Sequence, residues 1–143
     1  MTAYIDTSAL AKWYLNEARS EEFAAWMQAE PETHISTLTV VEMRCLLARR
    51  RRNQEISCEI EQEIFATLQD DMSQGFLIRH PIDEESVLGA LALLTLGSAY
   101  LLRTLDALHL SIAQRLGVGR LVTADRIMIG AGNAIGFDVV SFD

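Results

Sequence analysis

Four acidic residues lie in apolar surroundings at widely separated points of the sequence. Asp6 follows the apolar residues Ala3–Ile5, Glu42 lies within LTVVEMRCLL, Asp106 lies within RTLDALHLSIA, and Asp125 ends LVTAD. Burial of an unpaired carboxylate costs free energy, so each acid needs a cation, hydrogen-bond donors or a functional role. Other acids, such as those of NQEISCEIEQE, have the pattern of solvated helix faces.

The chemistry of such a cluster depends on what neutralises it. Clustered carboxylates repel one another, and their pKa values rise unless positive charge is supplied. Lys12 is the single lysine, and the sequence has no adjacent histidine pair. A cluster of oxygen ligands suits Mg²⁺ or Mn²⁺, which bind phosphate oxygens and activate water as a nucleophile. If the four acids meet, they predict a Mg²⁺ or Mn²⁺ site acting on a phosphate ester.

The overall charge of the chain agrees with a need for such an ion. The formal net charge is −8 over 143 residues. An acidic protein cannot hold nucleic acid by general phosphate attraction alone, because that attraction depends on neutralising phosphates with cationic side chains. A polyanionic partner therefore requires local positive charge.

The elements that must position these acids alternate between strand and helix. Predicted strands are Ala3–Asp6, Thr33–Ser36, Phe76–Pro81, Arg120–Asp125 and Asp138–Phe142. Predicted helices are Ser8–Leu15, Ser20–Ala29, Val40–Arg52 (capped by Thr39), Ser57–Ser73, Asp83–Gly97, Leu105–Leu116 and Arg126–Ala134. This alternation predicts one α/β domain with a mostly parallel sheet and helices on both faces.

Two of the acids fall at the predicted carboxyl ends of strands, where parallel sheets bind ligands. Each acid also has a purely structural explanation. Asp6 and Asp125 could cap the helices that follow them, Asp106 could favour its helix N-terminus, and Glu42 could pair with Arg44 or Arg103. The four explanations weaken when taken together, because all four acids share an apolar context.

Composition points to a soluble protein of the cytoplasm. Half of the residues are hydrophobic, no N-terminal signal pattern is visible, and the apolar run Val87–Leu102 is too short to cross a bilayer. Cys45 and Cys58 lack metal-ligand spacing, so we expect reduced, buried thiols.

Four motifs in order resemble the PIN domain, specifically ribonuclease toxins of the VapC type. They are YIDTSAL at Tyr4–Leu10, TLTVVEM at Thr37–Met43, RTLDALHLSIA at Arg103–Ala113, and LVTADRIMIGAGNAIGFDVV at Leu121–Val140. They span nearly the whole chain. One departure is the pair Gly130 and Gly132, which puts the regularity of the last helix in doubt.

The resemblance implies a single PIN domain over residues 1–143, with a flavodoxin-like three-layer α/β/α fold. It implies cleavage of single-stranded or looped RNA with Mg²⁺ or Mn²⁺. The family's acids fall on Asp6, Glu42, Asp106 and Asp125, and its hydroxyl partners fall on Ser8 and Thr123. It also implies a homodimer and a VapB-like antitoxin whose C-terminal segment wraps the toxin.

Three other functions are compatible with parts of the sequence. A catalytically silent PIN scaffold that binds other proteins is the alternative, although such scaffolds normally lack one or more of the acids. A phosphoacceptor receiver domain needs paired acids at the first strand and a late lysine, whereas Lys12 comes early. A haloacid-dehalogenase-type phosphatase needs a second aspartate where Ser8 stands.

Several basic and histidine residues have two interpretations. The run Arg49–Arg52 is either a solvated helix C-terminus or a guide for the RNA backbone. Arg19, Arg103 and Arg126 are further candidates for phosphate contacts. His109 follows Asp106 by one helical turn, so it is either a metal ligand or a hydrogen-bonded core residue.

Overall fold

In the computed structural model, which describes residues 2–143, five parallel strands form one sheet in the order β3-β2-β1-β4-β5. The strands are β1 (Ala3–Ile5), β2 (Thr33–Ser36), β3 (Ile78–His80), β4 (Arg120–Thr123) and β5 (Asp138–Ser141). The helices are α1 (Thr7–Tyr14), α2 (Ser20–Ala29), α3 (Thr37–Arg52), α4 (Cys58–Ser73), α5 (Glu84–Leu96), α6 (Thr104–Leu116) and α7 (Arg126–Ala134), with a 3₁₀ turn at Gly97–Tyr100.

The strand order determines where a ligand can bind. Strands β2 and β3 extend the sheet on one side of β1, and β4 and β5 extend it on the other side. The carboxyl ends of β1 and β4 therefore lie at the point where the order reverses, which is where open parallel sheets form a crevice. Ile5 lies opposite Val122, and the Asp6 N–H donates to the Val122 carbonyl at 3.0 Å.

Helices cover both faces of the sheet, because side chains of successive strand residues point to opposite faces. Ile5 packs with Phe23 and other residues of α1 to α4 in one buried cluster. Tyr4, the preceding residue, packs with Leu110 and other residues of α5 to α7 in a second cluster. The predicted three-layer α/β/α architecture is confirmed, and all five strands are parallel.

The helix that carries Glu42 begins earlier than predicted. The N-cap of α3 is Ser36, not Thr39, and the helix begins at Thr37. Thr39 occupies the third helical position, where its hydroxyl accepts a hydrogen bond from the Ser36 N–H at 3.4 Å. Strand β2 leads into α3 without a loop, so the last strand residue serves as the cap.

The two glycines of α7 do not interrupt the helix, which is regular from Arg126 to Ala134. A Cβ at Gly132 would lie 2.8 Å from Leu121 Cδ2 and 3.1 Å from Val139 Cγ2. The absence of a side chain therefore lets α7 approach β4 and β5 closely.

Both cysteines are unpaired as expected, but the expectation of burial was wrong: Cys45 and Cys58 are exposed. Their helices turn them to the surface rather than toward the sheet. Among the helices of residues 2–143, none has both the length and the apolar character that spanning a bilayer requires.

Candidate active site

A cleft of about 600 Å³ lies at the carboxyl edge of the sheet, between α1, α3, α6 and the start of α7. Three of the four predicted acids, Glu42, Asp106 and Asp125, line it together with Ser8. Asp6 is 4% exposed and does not line the cleft, but it is hydrogen-bonded to Ser8, which does. The structure thus brings four residues that are distant in sequence to one region.

Asp6 is held by hydrogen bonds to both of its carboxylate oxygens. Oδ1 accepts from the Ser8 hydroxyl at 2.7 Å and from the Ala9 N–H at 3.0 Å, and Oδ2 accepts from the Thr123 hydroxyl. The bond to Ala9 makes Asp6 the N-cap of α1. Burial raises the pKa of Asp6 above its usual range, against the opposing effects of His109 and these donors. A carboxylate offers about four lone-pair positions, so one remains for a further ligand.

Ser8 and Thr123 connect Asp6 to the end of β4. Ser8 Oγ accepts from the Ala124 N–H at 2.9 Å, and Thr123 Oγ1 accepts from the Asp125 N–H at 3.0 Å. Each hydroxyl therefore donates to Asp6 and accepts from the segment that carries Asp125. This arrangement fixes the position of one carboxylate relative to the other.

Asp106 and Asp125 also contact helix N-termini. Asp125 Oδ1 accepts from the N–H groups of Ile127 and Met128 at 2.8 and 3.3 Å, so Asp125 is the N-cap of α7. Asp106 Oδ2 accepts from the Arg103 N–H at 3.2 Å in the first turn of α6. Burial raises the pKa of Asp106, and the charge of Asp125 raises it further.

The N-terminal ends of α1, α6 and α7 therefore converge on the cleft. Helix N-termini carry partial positive charge, and this stabilises nearby carboxylates. The capping contacts expected from the sequence for the three aspartates are present in the structure. These contacts engage one oxygen of Asp106 and one of Asp125, so the other oxygen of each remains available for a second role.

Glu42 does not pair with Arg44 or Arg103, the two partners considered from the sequence. Its Oε1 accepts from the Thr7 hydroxyl at 2.7 Å and is also hydrogen-bonded to His109 Nε2. Arg44 instead pairs with Glu61 at 3.1 Å. Burial favours a raised pKa for Glu42, but hydrogen bonding and charge from His109, together with Thr7, outweigh it and lower the pKa.

Sequence reasoning missed three residues around Glu42. Thr7 binds it directly, and Tyr4 and Ser36 extend the network behind His109: the Tyr4 hydroxyl lies 2.7 Å from His109 Nδ1 and 2.9 Å from Ser36 Oγ. The one signal in the sequence was the helical spacing of Asp106 and His109. Nothing in the sequence pairs Tyr4 with a histidine 105 positions later.

The residues around the cleft fit a hard divalent cation. The acids offer oxygen ligands only, and burial has raised the pKa of Asp6 and of Asp106, so a cation would relieve their charge. Across residues 2–143, no three side chains of His, Cys, Asp or Glu are grouped closely enough to ligate one ion. Mg²⁺ commonly keeps several waters and binds through one or two carboxylates, so a closed set of three is not required.

The arginine run Arg49–Arg52 divides into different environments. Arg49 is exposed and lines the cleft, as does Arg103. Arg50 pairs with Glu17, and Arg51 pairs with Glu61. Arg50 and Arg51 therefore hold α3 against neighbouring segments, whereas Arg49 faces the cleft.

Comparison with solved structures finds the same fold in toxins and toxin–antitoxin complexes. VapC20 of Mycobacterium tuberculosis, a toxin that cleaves the sarcin–ricin loop, is 17% identical, with a TM-score of 0.73 over 91% of this chain and 95% of that one. VapBC2 of Rickettsia felis, bound to a promoter DNA fragment, gives 14% identity and a TM-score of 0.70 over 100% of both chains. FitAcB of Neisseria gonorrhoeae gives 16% identity and a TM-score of 0.68 over 99% of this chain and 96% of that one.

Comparison with curated proteins gives no significant match. The profile of the PIN domain matches residues 3–132, which include Asp6, Glu42, Asp106 and Asp125. This match covers most of the sequence and agrees with the strand order and with the fold of the structural relatives. The chain therefore belongs to the PIN domain family.

Proposed function

We propose that this protein is a Mg²⁺- or Mn²⁺-dependent endoribonuclease and the toxin of a toxin–antitoxin pair, cleaving single-stranded or looped RNA. The observation that carries the proposal is the cleft at the end of β1 and β4, where Glu42, Asp106 and Asp125 meet beside the buried Asp6. Membership of the PIN family and the fold shared with VapC20, which cleaves RNA, support it.

In this proposal Asp6, Asp106 and Asp125 hold one or two divalent ions, directly or through water, and Glu42 completes the pocket. A bound ion supplies a water nucleophile at neutral pH and stabilises charge developing on the phosphate. Ser8 and Thr123 keep the Asp6 carboxylate in one orientation. Glu42, whose pKa is lowered, offers an ionised carboxylate that either holds the ion through a water or helps to deprotonate the attacking water.

The proposed partners are an antitoxin and a second copy of the chain. VapBC2 of Rickettsia felis and a toxin–antitoxin complex from Klebsiella pneumoniae share the fold. Helix α5 carries large apolar side chains on one face that are not covered: Val87, Leu88 and Leu91 are 47%, 55% and 64% exposed. Contiguous exposed apolar residues mark protein–protein contacts. We place the protein in the cytoplasm, where RNA and a co-expressed antitoxin would meet it.

A catalytically silent scaffold that binds other proteins is the second candidate. It is favoured by one observation, the lack of a preformed group of three metal-ligating side chains in residues 2–143. The presence of all four acids favours the enzyme, because burial disfavours the ionised forms of Asp6 and Asp106, and a scaffold without a cation gains nothing from that cost.

The proposal predicts RNA cleavage that depends on divalent metal. Purified protein is mixed with end-labelled single-stranded and hairpin RNAs in Mn²⁺ or in EDTA, and the products are separated by electrophoresis. We expect internal cleavage in Mn²⁺ and none in EDTA. Asp106→Asn, purified identically, controls for contaminating nuclease. Cleavage that continues unchanged in EDTA would refute the metal mechanism, and no cleavage under any condition would favour the scaffold.

A second prediction separates Arg49 from the rest of its run. Arg49→Ala is expected to weaken single-stranded RNA binding about tenfold, the effect of losing a charged hydrogen bond worth about 1.4 kcal/mol. The slope of log affinity against log salt should fall by about 0.7, as for one phosphate contact on a single strand. Binding is measured by fluorescence anisotropy in EDTA, so that no cleavage occurs.

The matched control for Arg49 is Arg52→Ala. Arg52 is exposed at the same helix end but is not among the residues that line the cleft. Equal losses of RNA affinity in Arg49→Ala and Arg52→Ala would show that the run Arg49–Arg52 acts only through its general positive charge.

A further inference from the structure

The carboxylate of Glu42 is held through one of its two oxygens. Oε1 meets the Thr7 hydroxyl from α1 at 2.7 Å and the His109 ring from α6. Among the hydrogen bonds of residues 2–143, none engages Oε2, and Glu42 lines the cleft. Three helices thus fix the side chain while one oxygen stays available.

His109 is itself fixed from behind. It is 4% exposed, and its Nδ1 lies 2.7 Å from the hydroxyl of Tyr4, which is 0% exposed. The Tyr4 hydroxyl lies 2.9 Å from Oγ of Ser36, which is also fully buried. The contacts form one line from the last residue of β2, through β1 and α6, to Glu42 on α3.

The hydrogen bonds occupy both nitrogens of His109. An ionised carboxylate only accepts, so His109 Nε2 donates to Glu42. Nδ1 accepts from the Tyr4 hydroxyl if the imidazole is neutral and donates to the Tyr4 oxygen if it is charged. Either hydroxyl can donate in the contact between Tyr4 and Ser36. In both states of the ring, Nε2 is engaged with Glu42 and Nδ1 with Tyr4, which leaves neither nitrogen for a metal ion.

We propose that His109 is a positioning residue, which, supported by Tyr4, holds Glu42 Oε1 so that Oε2 faces the metal pocket of the cleft. This inference rests on the proposed nuclease function. It assigns to His109 the role of orienting a carboxylate rather than that of a ligand. Residues that orient metal ligands in this way typically change metal affinity or activity about 10- to 100-fold when removed.

The test compares His109→Leu with His109→Gln in two backgrounds. In the wild-type background, His109→Leu should lower kcat for RNA cleavage and Mn²⁺ affinity by about 10- to 100-fold, with little change in KM for RNA. His109→Gln keeps an N–H donor for Glu42 and should recover part of both losses. In the Glu42→Ala background, His109→Leu should cause no further loss of kcat or Mn²⁺ affinity. The effects of substituting two residues in direct contact are not additive, and without Glu42 there is no carboxylate for His109 to position.

Two further variants separate positioning from folding. Tyr4→Phe keeps the aromatic packing and removes the hydroxyl, so it carries the test if His109→Leu does not fold. We expect a smaller loss in kcat and Mn²⁺ affinity that again disappears with Glu42→Ala. His34→Leu is the matched control: His34 is a buried histidine hydrogen-bonded to His80 and Glu32, away from Glu42, so kcat and Mn²⁺ affinity should not change.

The Mn²⁺ affinity, measured by electron paramagnetic resonance of the free ion, tests the positioning role of His109 without RNA. If the wild type cleaves no RNA but the Mn²⁺ affinities show coupling between His109 and Glu42, the proposed function fails and the inference stands. If RNA is cleaved and His109→Leu has the same effect with and without Glu42, or no effect, the inference is overturned.

Discussion

Asp6→Asn is expected to reduce the rate of RNA cleavage about 100-fold or more. A charged ligand of a catalytic metal stabilises the transition state by several kcal/mol, and each loss of about 1.4 kcal/mol lowers the rate tenfold. The substitution keeps the shape of the side chain. Its oxygen can still accept from the Ala9 N–H, and its amide can donate to Thr123, which lies beside the carboxylate. The loss therefore reports on charge rather than on folding.

The same variant is expected to be more stable than the wild type when metal is absent. Burial raises the pKa of Asp6, so the folded state resists its ionisation. A group with a raised folded pKa stabilises the fold below its unfolded pKa, near 4, and that contribution is lost as pH rises through the folded pKa. At pH 7.5 the carboxyl group is ionised in the unfolded chain, and folding must either bury that charge or bind a proton, a cost that asparagine removes.

Thermal unfolding in EDTA at pH 7.5 and at pH 5 measures this effect. The Tm of Asp6→Asn should exceed that of the wild type at pH 7.5, and the difference should shrink at pH 5. Asp6→Ala is the control, because it removes both the charge and the helix cap, whose loss costs about 0.5–2 kcal/mol. Wild-type cleavage by Asp6→Asn, or a Tm at pH 7.5 below that of the wild type, would contradict the assignment.

Mn²⁺ is expected to stabilise the wild-type protein through the carboxylates of the cleft. A ligand at about 100 times its Kd contributes about 2.7 kcal/mol to the free energy of unfolding. For a domain of this size that corresponds to a rise in Tm of roughly 5–10 °C. Asp125→Asn should lose most of this rise while keeping the metal-free Tm, because asparagine caps helices as well as aspartate does.

The matched control is Asp83→Asn at the start of α5. Asp83 Oδ1 accepts from the Ser86 N–H at 2.9 Å, which is the same capping contact that Asp125 makes, but Asp83 does not line the cleft. Its variant should show the full Mn²⁺ shift. No shift in the wild type would support the scaffold, and an equal loss in Asp83→Asn would show that Mn²⁺ acts through general charge.

Local sequence patterns predicted most of the helices and strands correctly. The predicted bounds of α2, β2 and α7 match the structure, because turn residues and clear apolar patterns flank them. The third strand was predicted too long, as Phe76–Pro81 instead of Ile78–His80. The N–H groups of Phe76 and Leu77 both bond to the Asp71 carbonyl, so the turn after α4 uses them before the sheet can.

The sequence indicated which acids would gather at the carboxyl edge of the sheet but not their partners. Asp6 and Asp125 were predicted to end strands, and in the structure each caps the helix that follows. The sequence offers Arg44 and Arg103 as partners of Glu42, whereas in the structure Glu42 binds Thr7 and His109, which lies 67 positions away. No local pattern relates His34 to His80, yet their rings stack with centroids 4.9 Å apart because β2 and β3 are neighbours.

The amino-acid sequence by itself determined the alternation of strands and helices, the parallel sheet, and the set of acids at its carboxyl edge. These follow from periodicity and from the cost of burying charge, which act over a few residues. Only the tertiary structure decided which acid faces the cleft, which is buried beside it, and which side chains hold each one. Those contacts join residues whose proximity depends on strand order and helix packing, and no local pattern specifies either.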